Sequence, residues 1–201
     1  MPLPDAAPGR QLKHHRRIDV HVFARGDGLW DVDATLVDVK TRDTFPGGER
    51  RPAGTPMHDM LLRLVVNDRL DVLAAGSETR WMPYTGHCDD HGDVYGRLVG
   101  LNLGRGFRQH LRERLGGVVG CTHLTELAQV VPTAVFQALA GVVQGGAADA
   151  RGDAETPPFQ LDRCHALRRD GEVVRLNYPR WHAPGAAPVS PDRTAQTEEP
   201  R

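Results

Sequence analysis

The sequence predicts an α+β fold, a small antiparallel sheet of three to five strands with helices packed on one face. Three observations predict it. Residues in the first half alternate between apolar and polar with a period of two, which is typical of half-buried strands. Apolar residues in the second half recur at helical spacing. Short turns rich in Gly and Asp separate the strands, which favours antiparallel hairpins.

The strands follow one another through the first 75 residues. Ile18, Val20 and Val22 alternate with Asp19 and His21, which predicts the first strand. Turn-forming residues then separate each strand from the next. The later strands are predicted over residues 30–37, 60–66 and 70–75, after the turn at 25–28, the Gly/Pro loop at 45–56 and the Asn67-Asp68 turn.

Helices are predicted in the second half. The stretch from Leu98 to Leu115 has helical spacing, but its glycines favour two shorter helices that meet near Gly104. An apolar stripe that begins after Thr122, an N-cap residue type, predicts one helix that Pro132 kinks or splits. Near the end of the chain, Asp170-Gly171 predicts a hairpin between residues 164–167 and 173–176.

Length and composition predict one domain over residues 14–182, with an internal loop at 145–158 and disordered segments at 1–13 and 183–201. The 25 Lys+Arg and 26 Asp+Glu leave no basic excess, which argues against a nucleic-acid partner. No apolar run reaches the roughly 20 residues needed to span a membrane. The N-terminus lacks the apolar centre of a secretory signal, so we expect a cytoplasmic protein with a small-molecule substrate, and a homodimer is one candidate assembly.

Each of the three cysteines has a histidine within two positions. The pairs are His87-Cys88, Cys121-Thr-His123 and Cys164-His165. Thiolate and imidazole are ligands of zinc and iron, so Cys88, Cys121, His123 and Cys164 are candidate metal ligands. The alternative is an inert buried cysteine beside a surface histidine in each pair.

Cys121 is the strongest candidate of the three cysteines. It follows the glycine-rich segment 116–120 and opens a predicted helix, where backbone N–H groups and the helix dipole favour a thiolate. Such a thiol could be a metal ligand or a nucleophile. The alternative is a capping turn whose cysteine points into the core.

His58-Asp59 is a second candidate site. A histidine beside an acid suits a metal ligand, a general base or an oriented imidazole. Both side chains can serve one site only if strand three has not yet begun, because neighbours on a strand face opposite ways. The alternative is an exposed polar strand entry.

Seven parts of the sequence carry a family resemblance: GLWDVDATLVDVKT (28–41), RPAGTPMHDM (51–60), Cys88, LVGLNLGRGF (98–107), GCTHLTEL (120–127), TAVFQAL (133–139) and CHALRRDGEVV (164–174). Together they resemble a bacterial family catalogued only as a domain of unknown function, which implies no established activity. The order of sheet, cysteine and cysteine-headed helix is also similar to iron–sulfur scaffold proteins. The first hairpin carries Asp31 and Asp33 in place of a cysteine, which favours a mononuclear site over a cluster.

These observations predict a small enzyme with lyase or hydrolase chemistry at a mononuclear zinc or iron site. Its candidate catalytic residues are His58, Asp59, Cys121 and His123. A metal or iron–sulfur carrier with the same ligands is one alternative. A metal-free enzyme, with Cys121 as nucleophile and His123 or His58 as base, is another. A purely structural or interaction module is the third.

Overall fold

The computed structural model of the 201-residue chain describes residues 2–91, 93–140, 157–158 and 160–185. Within these residues, four strands form one antiparallel sheet in the order β1-β2-β3-β4, and helices accompany it, which confirms the α+β prediction. Each strand follows its neighbour in sequence, so tight turns suffice to connect most of them. The strands are β1 (His14–Ala24), β2 (Trp30–Lys40), β3 (Pro56–Val66) and β4 (Val72–Trp81).

The turns between strands lie where the sequence predicts them. Gly28 has a φ of 80° between β1 and β2, a conformation that favours glycine. After β3, the side-chain Oδ1 of Asn67 accepts hydrogen bonds from the backbone N–H groups of Arg69 and Asp71, at 3.0 and 2.9 Å. Asn67 thereby closes the turn into β4 through its side chain.

Two α-helices follow the strands, α1 (Phe107–Leu115) and α2 (Thr122–Leu139); α2 packs on β1, β2 and β3, and α1 packs against α2. The predicted helix before Gly104 is wrong, because only a 3₁₀ turn (Val94–Leu98) forms there. Residues 100–103 instead pair with the start of β4, where the N–H of Val72 donates to the carbonyl of Leu101 at 2.9 Å. Gly100, with a φ of 83°, cannot continue a right-handed helix.

α2 runs through Pro132 as one helix, so of the two predicted effects of Pro132, a kink or a split, the split is wrong. Proline removes one backbone hydrogen bond, but burial of the apolar face of α2 outweighs that loss. Leu124, Leu127 and Val131 are fully buried on that face.

The predicted hairpin around Asp170-Gly171 is also wrong. A 3₁₀ turn (His165–Leu167) and a short helix, α3 (Glu172–Asn177), occupy its place. Gly171 has a φ of −91° and caps α3, so the positive φ that a two-residue hairpin turn requires is missing. The acidic Glu172 in the first turn favours the helix instead.

The core lies between α1, α2 and one face of the sheet. Val32, Leu62 and Leu64 are fully buried in it, and Trp30 is half-buried with its indole N–H donating to Asp68 at 2.9 Å. The other sheet face carries ion pairs such as Arg63–Asp33. None of the helices described is long and apolar enough to cross a membrane.

Two predicted regions lie mostly outside the described residues. The internal loop predicted at 145–158 is described only at its last two positions. Of the tail predicted at 183–201, only the first three residues are described.

Candidate metal centre at the start of the second helix

A row of polar side chains interrupts the apolar face of the sheet where β1, β2 and β3 meet. Asp38 lies opposite Arg16 on β1 and opposite His58 on β3. Because cross-strand partners share a face, these three side chains point toward the helices. α2 begins above this row at Thr122, which brings His123 onto it.

Asp38 is the centre of the row. Its side chain is 2% exposed, and no other charged residue in the described part of the chain is buried. The guanidinium of Arg16 donates from Nε to Oδ1 and from Nη2 to Oδ2, both at 2.8 Å. His14 Nε2 lies 3.1 Å from Oδ1, and His58 Nδ1 lies 3.0 Å from Oδ2. A buried carboxylate requires such partners.

These contacts keep Asp38 ionised. Burial is the largest influence and on its own raises the pKa of the carboxyl. The hydrogen bonds and charge of Arg16, with a further contribution from His58, outweigh burial, so the pKa of Asp38 lies below its ordinary value. A negative charge is therefore held in place beneath α2 at neutral pH.

Two imidazole rings contact one another beside this carboxylate, in a tilted arrangement. The ring centroids of His58 and His123 are 3.9 Å apart, with 32° between the ring planes. Burial, and then the neighbouring His123, lower the pKa of His58 below its ordinary value despite the hydrogen bond to Asp38. Neutral imidazole is the form that binds a metal or accepts a proton, so His58 is prepared for either role.

Asp38, His58 and His123 together form a metal-ligand arrangement. Each offers a donor atom, and the three atoms lie within 4.8 Å of one another. Ligands bound tetrahedrally to zinc at ~2.1 Å are about 3.4 Å apart. The 3.0 Å from His58 Nδ1 to Asp38 Oδ2 and the 3.8 Å from His123 Nε2 to Asp38 Oδ2 bracket this spacing. Movements of less than an ångström would bring both of these atom pairs to the spacing of zinc ligands.

The charge of the cluster suits a cation. Arg16 carries one positive charge, but it pairs with both Asp38 and Glu126, the latter at 2.6 Å. With the histidines neutral, two carboxylates and one guanidinium leave one net negative charge. Metal binding would compensate this charge.

Cys121 lies next to the cluster at the N-cap of α2. Its Sγ is 3.8 Å from His123 Nδ1 and 4.0 Å from the sulfur of Met60. Burial is the largest influence on this thiol and raises its pKa. His123 and the backbone N–H groups of His123 and Leu124 outweigh burial, so the pKa of Cys121 is lowered, as predicted for a helix start.

Tyr95 fixes the segment that carries Cys121. Its hydroxyl donates to the carbonyl oxygen of Cys121 at 2.7 Å and lies 3.0 Å from Thr125 Oγ1. Tyr95 is fully buried, and burial raises its pKa to about 12. A Cβ on Gly120 would lie 2.9 Å from this hydroxyl, so the position before Cys121 has no room for a side chain.

The structure brings together His58, His123 and Cys121 from the predicted site and separates them from Asp59. β3 begins at Pro56, so His58 and Asp59 lie within the strand and face opposite ways. Asp59 is therefore on the sheet face away from α2, and the condition under which both residues could serve one site is not met.

The other two cysteines lie in different surroundings. The N–H of Cys88 donates to the carbonyl of Tyr84 in a turn that follows β4, and Cys164 is exposed immediately before the 3₁₀ turn at His165. Neither belongs to the donor group found among the described residues. Their assignment as metal ligands stays a prediction.

Asp38 and Arg16 are not predicted as site residues from the sequence, although the spacing of apolar residues along β1 and β2 contains an indication of both. Asp38 continues the series Val32, Ala34 and Leu36 of buried positions on β2. Arg16 lies two residues before Ile18, which is half-buried, so the signal for Arg16 is weaker than the signal for Asp38. A charged residue in phase with buried positions must have partners in the core, and that requirement marks a site.

The family model described as "Protein of unknown function (DUF2889)" matches residues 14–137, more than half of the chain and all of the site. This confirms the resemblance to a family without an established activity. No curated protein and no solved structure matches the chain. The likeness to iron–sulfur scaffold proteins stays an expectation.

Proposed function

The chain belongs to the DUF2889 family, and because that family has no established activity, we propose a function from the site itself. We propose that it binds one divalent metal ion, zinc or iron(II), through Asp38, His58 and His123. With this ion it catalyses hydrolysis or elimination on a small organic molecule. The observation that carries the proposal is the convergence of three donors from β2, β3 and α2 within 4.8 Å.

The donor types support zinc or iron(II). Two imidazoles and one carboxylate suit either ion, and three protein ligands leave a position open for water or substrate. A metal at such a position supplies Lewis acidity, by which a bound water or a substrate oxygen becomes more reactive. Side chains of the protein orient the ligands and bind or release protons.

Those side chains have distinct tasks. Arg16 donates to both oxygens of Asp38 and His14 lies 3.1 Å from Oδ1, which fixes the carboxylate plane with Oδ2 also facing the two imidazoles. Partners of this kind orient metal ligands. His58 Nδ1 lies 3.0 Å from Asp38 Oδ2, and because that carboxyl is ionised, the neutral ring donates its Nδ1 proton there. A cation held by Nδ1 would require this proton to move to Nε2, without net release from the neutral ring. Because a protonated ring does not bind a cation, affinity should fall once His58 is protonated at low pH.

Cys121 gives the second candidate function a specific basis. Its thiol, the His123 ring and Asp38 form a series, with 3.8 Å from Sγ to Nδ1 and 3.8 Å from Nε2 to Oδ2. In a metal-free enzyme, His123 would accept the thiol proton and Asp38 would stabilise the imidazolium. Cys121 Sγ would then bond to an electrophilic carbon of the substrate as the bond from that carbon to the leaving group breaks, and His123 would give its proton to the leaving group. This candidate uses the same residues and predicts a different requirement for metal.

Metal analysis of tag-free protein tests the proposal. The wild-type chain should bind Zn²⁺ or Co²⁺ in a 1:1 ratio. Asp38→Asn and His123→Asn should each lower affinity at least ~10-fold. His110→Asn is the matched control, since His110 is an exposed histidine on α1 paired with Glu113. It should leave affinity unchanged.

Two results decide between the candidates. Equal metal affinity in Asp38→Asn, His123→Asn and wild type would refute the metal centre. Fast alkylation of Cys121 by iodoacetamide in metal-free protein, slowed by His123→Asn and not by His110→Asn, would then favour the thiol enzyme. The decrease in alkylation of Cys88→Ser relative to wild type measures how much of the labelling occurs at Cys88.

A further inference from the structure

A cleft between α1 and α2 forms a second concave surface, away from Asp38. It has a volume of about 360 Å³, at the small end of the range typical of ligand sites. The interior part of its lining is apolar and comes from Leu103, Phe107, Pro132 and Phe136. Leu103 and Phe107 are each 3% exposed, so they form a fixed floor.

The rim of the cleft is basic. Three exposed arginines, Arg108, Arg112 and Arg163, line it, and the described lining contains no carboxylate. Within the described part of the chain, neither Arg108 nor Arg112 lies within ion-pair distance of an acidic side chain, although the pKa of exposed Glu113 is lowered by Gln109, by His110 and, to a smaller extent, by the charge of Arg112. Arg112 Nε donates to the backbone carbonyl of Arg108 at 3.4 Å.

Arg108 and Arg112 also repel one another. They lie four residues apart on α1, so their side chains project from the same side of the helix one turn apart. Like charges at this spacing destabilise a helix. An anion bound between them would convert the repulsion into two charge-assisted contacts.

We propose that this cleft binds a small organic anion with an apolar body. The charged group lies between Arg108 and Arg112, where guanidinium groups recognise carboxylate, sulfonate or phosphate oxygens. The apolar body contacts Phe107 and Phe136. The cleft is separate from the proposed metal centre, because Thr133 on its rim lies ten residues beyond His123, about 15 Å along α2.

A fluorescent probe of this chemistry tests the proposal on the full chain. The probe is 8-anilinonaphthalene-1-sulfonate, an aromatic sulfonate, and its uncharged counterpart is N-phenyl-1-naphthylamine. The sulfonate should bind in a 1:1 ratio at least ~10-fold more tightly than the amine, since only the sulfonate gains charge-assisted hydrogen bonds. Octanoate or phenyl phosphate should displace it, and which of them does so better identifies the preferred anionic group.

Variants localise the binding. Arg108→Gln combined with Arg112→Gln should raise the Kd for the sulfonate at least ~10-fold. The control removes two charges elsewhere, Arg17→Gln with Arg80→Gln, from arginines paired with neighbouring acids on exposed strand surfaces. It should leave the Kd unchanged. Thr133→Trp, which fills the cleft and keeps its charges, should weaken binding as well.

Three outcomes would overturn the proposal. The first is a wild-type Kd for the sulfonate in the Arg108/Arg112 double variant. The second is equally tight binding of the uncharged amine, or equal displacement by octanol, since charge would then play no part. The third is displacement by inorganic phosphate as effective as by octanoate, since the apolar floor would then contribute nothing. Thermal melts of each variant confirm that it is folded before binding is compared.

Discussion

Arg16→Gln should destabilise the fold through Asp38, and the effect should depend on pH. The substitution leaves a carboxylate with 2% exposure without its only guanidinium partner in the described chain. Removing one member of a buried ion pair typically costs 3–5 kcal/mol. Because His14 and His58 still contact the carboxylate and Arg16 is 32% exposed, we expect the lower end, about 3 kcal/mol near pH 8.

The pH dependence follows from His58. In the wild-type chain its folded pKa is lowered, in part by the charge of Arg16, so protonation of His58 costs stability as pH falls below the ordinary histidine value. In Arg16→Gln that charge is absent, so the folded pKa of His58 should lie closer to the ordinary histidine value, and protonation of His58 should cost the variant less stability than it costs the wild type. The difference in the free energy of unfolding between Arg16→Gln and wild type should therefore decrease as the pH is lowered toward about 5.5.

Urea denaturation at both pH values measures this gap. The control is Arg63→Gln, because Arg63 makes an equally bidentate contact with Asp33 on the solvent face, at 2.6 Å for each bond. Arg63 is 57% exposed, and such pairs contribute about 0–1 kcal/mol. The reasoning fails if Arg16→Gln costs no more than Arg63→Gln, or if its cost is larger at low pH.

Three further predictions concern residues around the site. Asp38→Asn should reduce the decrease in the free energy of unfolding that the wild type shows below about pH 4. The lowered folded pKa of Asp38 stabilises the wild-type fold above that range, and this contribution is lost in acid. An unchanged pH dependence of the free energy of unfolding below about pH 4 would contradict this. His123→Gln should shift the pH profile of Cys121 alkylation upward, because His123 lowers the thiol pKa; a profile identical to wild type would count against the contact. Gly120→Ala should cost about 1–3 kcal/mol and cost less in a Tyr95→Phe background, which lacks the hydroxyl 2.9 Å away; strict additivity in a double-mutant cycle would show that no clash occurs.

The strands and α2 could be predicted because local periodicity and burial agree there. Alternation around Val32 and Leu64 specifies which strand face is buried, and turn residues specify antiparallel connections. The predictions failed where a local signal had two physical readings. Asp170-Gly171 fits a hairpin turn and also a helix N-terminus, and only the backbone conformation of Gly171 separates the two.

The site could be predicted only in part, because sequence proximity and spatial proximity differ. The Cys/His pairs drew attention to chemistry carried by neighbours in the sequence, and this found His123 and Cys121. Asp38 lies 20 residues from His58 and 85 from His123, so only the strand register and the position of α2 bring them together. A single sequence does not specify how a helix crosses a sheet.

Arg16 joins the site to the docking of α2. Its guanidinium contacts Asp38 on the sheet with one edge and Glu126 on α2 with Nη1. The same residue thus neutralises part of the buried charge and anchors the helix that carries His123. Cation binding at Asp38 would oppose the positive charge of Arg16 and shift its interaction toward Glu126. Occupancy of the centre and the position of the first turns of α2 are therefore expected to be coupled.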